Sequence, residues 1–275
     1  LSSNAIEPQD YEDFRLFLEK SCGLVLGDNK HYLVTSRLSR LMDEFSVGTV
    51  SELLRMLRGG QRAGLRERVI EAMTTNETYW FRDVFPFEIL KTTIFPELVK
   101  AGTNPIKIWS AACSSGQESY SISMTVSEFQ QSRPGVLKNV QIVGTDISTA
   151  IVRDARQASF DSLSMARGLS PERRDRYFLQ EGNRWVVRPE IRARTSFREF
   201  NLLDSYSLLG KFDMVFCRNV LIYFSADSKR DILKRIAQCL NPGGYLFLGA
   251  SESMANYSDA FEMVRCSPGV VYRKR

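Results

Sequence analysis

The stretch IKIWSAACSSGQE at 106–118 constrains the fold more than any other part of the chain. A β-rich apolar run ends in a turn of small residues, and a helical pattern follows the turn. A second apolar run at 140–145 ends in the acid Asp146. Strand, tight small-residue turn, helix, then an acid closing the next strand is how an α/β sheet holds a nucleoside, because small residues let the backbone approach the ligand and the acid accepts from ribose hydroxyls. The turn keeps only Gly116 among Ala111, Ala112, Ser114 and Ser115, and no lysine follows it to grip a phosphate. A nucleoside without phosphates is therefore expected, with S-adenosylmethionine the leading candidate.

At 275 residues the chain accommodates a large α/β domain and a smaller one. No apolar run reaches the ~18 residues of a membrane span. No signal-like segment opens the sequence, which argues for a cytoplasmic protein without direct membrane insertion. Positions 1–5 are expected to be a loose terminus. Five scattered cysteines form no CxxC pair and His31 is the sole histidine, so neither a disulfide framework nor a metal site is expected. The single histidine also argues against Ser-His-Asp or Cys-His chemistry. Net charge is +5, and segment 30–70 holds eight bases against four acids. Such a surface suits an acidic partner, protein or nucleic acid, or is simply a solvated basic face.

Helical periodicity organises the first 75 residues. Asp10 opens a helix with Phe14, Phe17 and Leu18 on one face, broken by Gly23 and Gly27; Val34, Leu38, Leu41 and Phe45 form the stripe of the next, flanked by Arg37 and Arg40, which should be exposed. Helices at 49–57 and 61–73 complete the set, and a linker at 76–100 contains a helix from 83 to 100. In the α/β domain, 101–275, strands are expected at 106–111, 140–145, 195–200, 212–216, 244–249, 261–265 and 270–273. Helices are expected at 117–130, 148–158 and 227–240, which implies a mainly parallel, doubly wound sheet with a terminal hairpin. Alternation stops at about 160–195, an arginine-rich segment expected to be a small antiparallel β insert with strands at 176–179, 185–188 and 191–194. Inserts beside a cofactor site commonly serve substrate recognition.

Thr75-Asn-Glu-Thr-Tyr-Trp-Phe-Arg82 is too polar for a plain linker. It resembles the TxxTxFFR-type segment of the CheR family of chemotaxis protein-glutamate methyltransferases, with Trp80-Phe81 in place of two phenylalanines. WSAACSSGQESYSISM (109–124), GTDIS (144–148), FNLL (200–203), FDMVFCRNVLIYF (212–224) and NPGGYLFLGASES (241–253) are similar to that family's motifs in order and spacing. The resemblance covers essentially the whole chain.

The resemblance implies a Rossmann-like class I S-adenosylmethionine-dependent methyltransferase fold with an all-helical N-terminal domain that recognises the receptor. It implies methyl transfer to glutamate side chains in the cytoplasmic helical domain of methyl-accepting chemotaxis receptors, leaving S-adenosylhomocysteine. Carried over residue by residue, Asn76, Thr78 and Arg82 line the cofactor pocket from the linker side, with Ala112 in the turn. Glu118 meets the cofactor's amino group, Asp146 the ribose, Asn201 and Leu202 the adenine. Arg218 and Asn219 lie near the cofactor tail and the acceptor. Arg82 steers the incoming carboxylate and Tyr223 helps orient it, while Arg37 and Arg40 face the receptor's acidic helices.

A glutamate carboxyl with a reference pKa of about 4.3 is already ionised at neutral pH, so no general base is required. The insert's turn, Gln180-Glu-Gly-Asn183, lacks the glycine-lengthened loop with which some family members dock a receptor's C-terminal peptide, which favours an enzyme working without that tether. Two alternatives stay open at this stage: a methyltransferase on nucleic acid or another substrate, and a non-catalytic nucleoside sensor. Against the first, Arg218-Asn-Val-Leu stands where amino-methylating enzymes carry a Pro-Pro tetrad.

Overall fold

The computed structural model describes residues 6–60 and 62–275; positions 1–5, expected to be a loose terminus, and 61, expected to open a helix, lie outside the described residues. The chain divides into a unit running up to Thr75 together with Tyr223–Ser228, and a second of Asn76–Ile222 with Lys229–Arg275.

In the first unit, α1 (Pro8–Cys22) starts with proline at its head and buries Tyr11, Phe14 and Leu18. It stops at Gly23, whose left-handed φ of 78° aims its N–H at the Glu19 carbonyl. Along α2 (His31–Glu44) the stripe Val34, Leu38 and Leu41 is buried, as its spacing predicts. Next comes α3 (Val50–Gly59), where Thr49 accepts from the Glu52 N–H and Glu52 reaches back to the Gly48 N–H. The last, α4 (Leu65–Met73), begins after the left-handed Gly64, later than the expected 61.

The second unit opens with α5 (Phe85–Ile89), a π turn at Leu90–Ile94 and α6 (Phe95–Lys100), so the helix expected from 83 is interrupted midway. Then come β1 (Ile106–Ala111), α7 (Gln117–Ser132), β2 (Val140–Asp146) and α8 (Thr149–Gln157). The insert comprises β3 (Ser159–Asp161), α9 (Ser162–Met165), α10 (Pro171–Tyr177), β4 (Phe178–Glu181), β5 (Arg184–Val187) and α11 (Pro189–Arg192). The main sheet resumes with β6 (Thr195–Glu199) and β7 (Phe212–Cys217), a 3-10 turn at Leu221–Tyr223, α12 (Ala226–Cys239), β8 (Leu240–Phe247), β9 (Phe261–Cys266) and β10 (Gly269–Lys274).

Strand order is β6-β2-β1-β7-β8-β10-β9. Neighbours from β6 to β8 pair parallel, and β10 runs antiparallel between β8 and β9. The chain winds outward from β1 through β2 to β6, then returns to β7 on the other side of β1. Ligands bind outside the carboxyl ends of strands where the order reverses in this way. The register aligns that edge: Ala111 sits opposite both Thr145 and Cys217, so Ala112, Asp146 and Arg218 emerge level with one another. The expected class I methyltransferase architecture is the one observed.

The insert corrects two expectations. Arg176 and Tyr177 end α10, so the strand expected at 176–179 begins only at Phe178. The insert's three strands pair in the order β3-β5-β4, and 191–194 is not a strand: Ile191 and Arg192 close α11, and 193–194 form the turn into β6. Pro189 fits the first turn of a helix, where its missing N–H costs nothing, and Ser159–Asp161 takes the sheet position instead.

Candidate functional site

The turn leaving β1 is held by its own residues and by Asp146. Ala112 and Ser114 adopt left-handed φ of 54° and 50°, with Gly116 at 94°. For a residue with a Cβ that conformation costs roughly 1–2 kcal/mol. Offsetting bonds run from the Cys113 N–H to the Thr145 carbonyl at 2.9 Å and from the Ser114 N–H to Asp146 Oδ2 at 2.9 Å. Asp146, buried, also accepts from the Ser148 N–H through Oδ1 at 3.1 Å. The strained turn and the acid that ends β2 are therefore one hydrogen-bonded assembly.

Glu118 lies on the first turn of α7. Its Oε1 accepts from the Ser110 hydroxyl at 2.7 Å and its Oε2 from the Arg218 guanidinium at 2.9 Å. Arg218, its side chain only 1% exposed, also donates to Asp83 Oδ2 at 2.7 Å and to the Arg82 carbonyl at 2.8 Å. A buried cation is tolerable only with such partners. The chain Asp83–Arg218–Glu118 thus ties the linker, the end of β7 and the start of α7 together.

Asn219, at a φ of 57°, follows Arg218, and its N–H donates to Glu252 Oε2 at 2.7 Å. Asn201 accepts from the Leu203 N–H at 3.0 Å, fixing a turn just past β6, and Leu202 is buried with its carbonyl taking the Tyr206 hydroxyl.

The linker is strained where it meets the site: Phe81, Asp83 and Val84 all have φ between 50° and 66°. Its anchor is Trp80, fully buried, ringed edge-on by Phe160 and Phe178, and donating from Nε1 to the Ser164 carbonyl at 3.1 Å. A Cβ at Gly168 would fall 2.0 Å from the Trp80 carbonyl oxygen, so only glycine allows this approach. The insert therefore serves as the seat of the linker. Its arginines are largely engaged within the unit: Arg173 pairs with Glu128 and lies 3.6 Å over the Phe81 ring, Arg194 donates to Ser127, Gln130 and the Glu190 carbonyl, and Arg167 pairs with Glu77. The Asn76 main-chain carbonyl accepts from the Ser114 hydroxyl, and Thr78 is half-buried. The Arg82 guanidinium, half-exposed, donates to the Glu77 carbonyl at 3.2 Å and lies over the Tyr79 ring.

Two residues fall elsewhere than expected. Arg37 is half-buried rather than exposed: its guanidinium donates to the Met73 carbonyl at 2.5 Å, the Thr74 carbonyl at 3.2 Å and Thr75 Oγ1 at 3.0 Å. It closes the carbonyl end of α4, a standard use of a cation at a helix C-terminus. Arg40 is exposed as expected. Tyr223 groups with the helical unit, its carbonyl accepting from the Val25 N–H at 2.9 Å.

The donor set fits a nucleoside with a cationic tail. Glu118 and Asp146 stand at the carboxyl edge, Ala112 offers backbone in a turn of small residues, and no lysine is present among these residues. Burial pushes the Cys113 thiol well up, with the charges of Asp146 and Glu118 adding to it, so it sits under these acids as an apolar group. Among the described residues, no cluster of His, Cys, Asp and Glu could hold a metal ion. The sequence alone gives Asp83, Ser110 and Glu252 no role and marks Ser114 only as a small residue of the turn. Ser110, Ser114 and Glu252 lie inside the family-like motifs and Asp83 directly after one, as polar residues close to assigned ones, which was the available signal.

Comparison with known proteins is consistent from residue 9 to residue 270. Residues 76–270 match the family model for the CheR methyltransferase SAM-binding domain, and 9–74 match its all-alpha domain. The chain is 59% identical over 269 residues to chemotaxis protein methyltransferase 1 of Pseudomonas aeruginosa, covering 97% of this chain and 98% of the relative. It is 55% identical over 271 residues to chemotaxis protein methyltransferase Cher2 of Pseudomonas putida, with 97% and 98% covered. Against the chemotaxis protein methyltransferase of Salmonella typhimurium identity is 35% over 246 residues, with 88% and 82% covered. With both domains matched and the carboxyl edge of the sheet arranged for a nucleoside, the chain belongs to the CheR methyltransferase family.

Proposed function

We propose that the protein transfers a methyl group from S-adenosylmethionine to glutamate carboxylates on the cytoplasmic helical domain of methyl-accepting chemotaxis receptors. The observation that carries this is the pair of acids at one edge of the sheet, Asp146 at the carboxyl end of β2 and Glu118 on the first turn of the helix that follows β1, with the buried Arg218 paired to Glu118. Asp146 is assigned to the ribose, Glu118 to the α-amino group, Asn201 and Leu202 to the adenine, and Asn76, Thr78 and Ala112 to the walls. The bound donor supplies a methyl group already activated on a sulfonium.

The chain's own task is then placement. The acceptor carboxylate is ionised at neutral pH, and orientation alone is worth roughly 7–11 kcal/mol. Arg82 is the proposed steering cation: its guanidinium is half-exposed, and among the described residues it donates to a single carbonyl and lies over a ring face, which leaves it able to meet a carboxylate. Gripping one oxygen leaves the other able to attack. Tyr223 is the second candidate for orienting the carboxylate, and exposed Arg40 in the helical domain is assigned to the receptor's acidic surface. The turn at the tip of the insert remains short, which supports action without a peptide tether.

Incubation with labelled S-adenosylmethionine and purified receptor signalling domains tests the proposal. Label released as methanol by mild base marks a glutamate ester. Base-stable label, label on nucleic acid, or binding without turnover would each overturn it. Arg82→Ala should lower turnover more than affinity for S-adenosylhomocysteine.

A further inference from the structure

Glu252 lies beyond β8 in a segment to which no role has been assigned, yet it gathers four main-chain donors. Its Oε2 accepts from the Asn219 and Gly249 N–H groups, each at 2.7 Å, and its Oε1 from Val220 at 3.0 Å and Ile222 at 3.3 Å. A carboxylate offers about four lone-pair sites, and all are used here. The reason for the demand lies in the sheet. The β7–β8 ladder ends with Phe216 opposite Phe247, so the backbone beyond it has no strand from which to draw acceptors. Asn219 turns out of the ladder through a left-handed φ of 57°. The fit is close: a Cβ at Gly249 would lie 2.7 Å from Asn219 Nδ2 and 2.8 Å from Glu252 Oε2.

We propose that Glu252 is a positioning residue, whose carboxylate sets the backbone of 219–222 and thereby aims the Asn219 side chain beside Arg218 at the carboxyl edge of the sheet. The proposal rests on the functional reading of the site, in which Asn219 lies near the cofactor tail and the acceptor. A carboxylate suits this because both oxygens accept, and charge-assisted bonds are about twice as strong as neutral ones. Glutamine is nearly the same size but presents an NH2 to two of the four donors, setting donor against donor. Aspartate keeps both acceptors on a shorter stem.

The experiment compares wild type, E252Q, E252D, N219A and the double variant E252Q/N219A in the full chain. Hydrogen exchange is followed with and without S-adenosylhomocysteine, along with receptor methylation kinetics. In E252Q, exchange across 218–222 should speed up about 10-fold or more, while the β1 and β2 peptides stay protected. Its kcat should fall about 10-fold with receptor KM moving less than about 3-fold, E252D should recover part of the loss, and the double variant should be no worse than about 2-fold below the poorer single one. Unchanged exchange at 218–222, or losses that multiply in the double variant, would overturn the proposal. Should E252Q not fold by circular dichroism, E252D decides; if it too is unfolded, Glu252 is needed for the fold itself and the proposal falls. A wild type that methylates no receptor defeats the functional reading instead, and the exchange arm still decides the clamp.

Discussion

The turn after β1 and the loop after β7 leave adjacent strands at the same edge, and both pass through left-handed residues that carry side chains: Ala112 and Ser114 in one, Asn219 in the other. They are held in opposite ways. The first is secured by the neighbouring strand, through Asp146 and the Thr145 carbonyl, and runs at once into α7. The second depends on side chains remote in sequence, Glu252 on its backbone and Asp83 and Glu118 on Arg218. A turn within a strand–turn–helix unit inherits its geometry from regular structure. A loop that ends a ladder must be given acceptors by other parts of the chain, and its geometry is only as good as those contacts.

The comparison breaks most easily at Arg218. Arg218→Ala leaves Asp83 and Glu118 facing each other without their buried cation, a change that typically costs about 3–5 kcal/mol. Denaturant titration should show that loss, together with abolished methyl transfer. In the β1 turn, Asp146→Asn keeps the shape but weakens charge-assisted bonds worth about 1.5–3 kcal/mol each. Calorimetry should find S-adenosylhomocysteine bound at least about 10-fold more weakly, with a smaller drop in stability than Arg218→Ala gives.

Gly116→Ala probes the turn's backbone alone. Its φ is 94° and the new Cβ would press on Tyr120, Ala155 and Phe197 at 3.1–3.2 Å, so a loss of about 1–3 kcal/mol is expected in the same titration. Cysteine chemistry gives the smallest effect. Cys113 is part of the first turn, with its thiol buried, and Cys217 stands at the root of the second; burial pushes both thiols well up, with Glu252 and Glu118 adding to the shift at Cys217. Iodoacetamide at about pH 8, near the free thiol's pKa, should label neither in the folded chain. Labelling of Cys217 ahead of Cys113 would show that the second loop opens more readily, which is the sharpest form of the contrast.

Glu128, away from both loops, serves as a control for acid sensitivity. Burial opposes its charge, but the hydrogen bonds and charges of Arg173 and Lys91 outweigh that and hold the carboxyl below its usual range. Its contribution is present above the unfolded glutamate pKa of about 4.3 and is lost as pH falls further. Glu128→Gln should flatten that part of the stability profile, read as melting temperature against pH.

Much of the fold was legible because its signals are local. The apolar runs at 106–111 and 140–145, Gly116 between strand and helix, and the stripe Val34, Leu38, Leu41 each announce an element within a few residues. The failures also have physical causes. Residues 191–194 alternate like a strand, but Pro189 just before them starts a short helix, and the missing strand is a three-residue piece directly after α8. Periodicity put Arg37 at the edge of an apolar stripe, where exposure is the natural expectation; the carbonyls it caps belong to the end of α4. For the candidate site, the motifs brought Ala112, Glu118, Asp146, Arg218 and Asn219 to notice, while Glu252 passed as one acid among serines.

By itself the sequence determined the alternation of strands and helices, the turn at which a nucleoside can approach, and the family to which the chain belongs, because spacing and turn chemistry act between near neighbours. Only the tertiary structure decided which carboxylate holds which loop. Arg218 could have met any of several acids, and the donors of 219–222 could have faced water. Which partner each group found depended on where the ladder between β7 and β8 ends, and that is settled by the packing of the whole sheet.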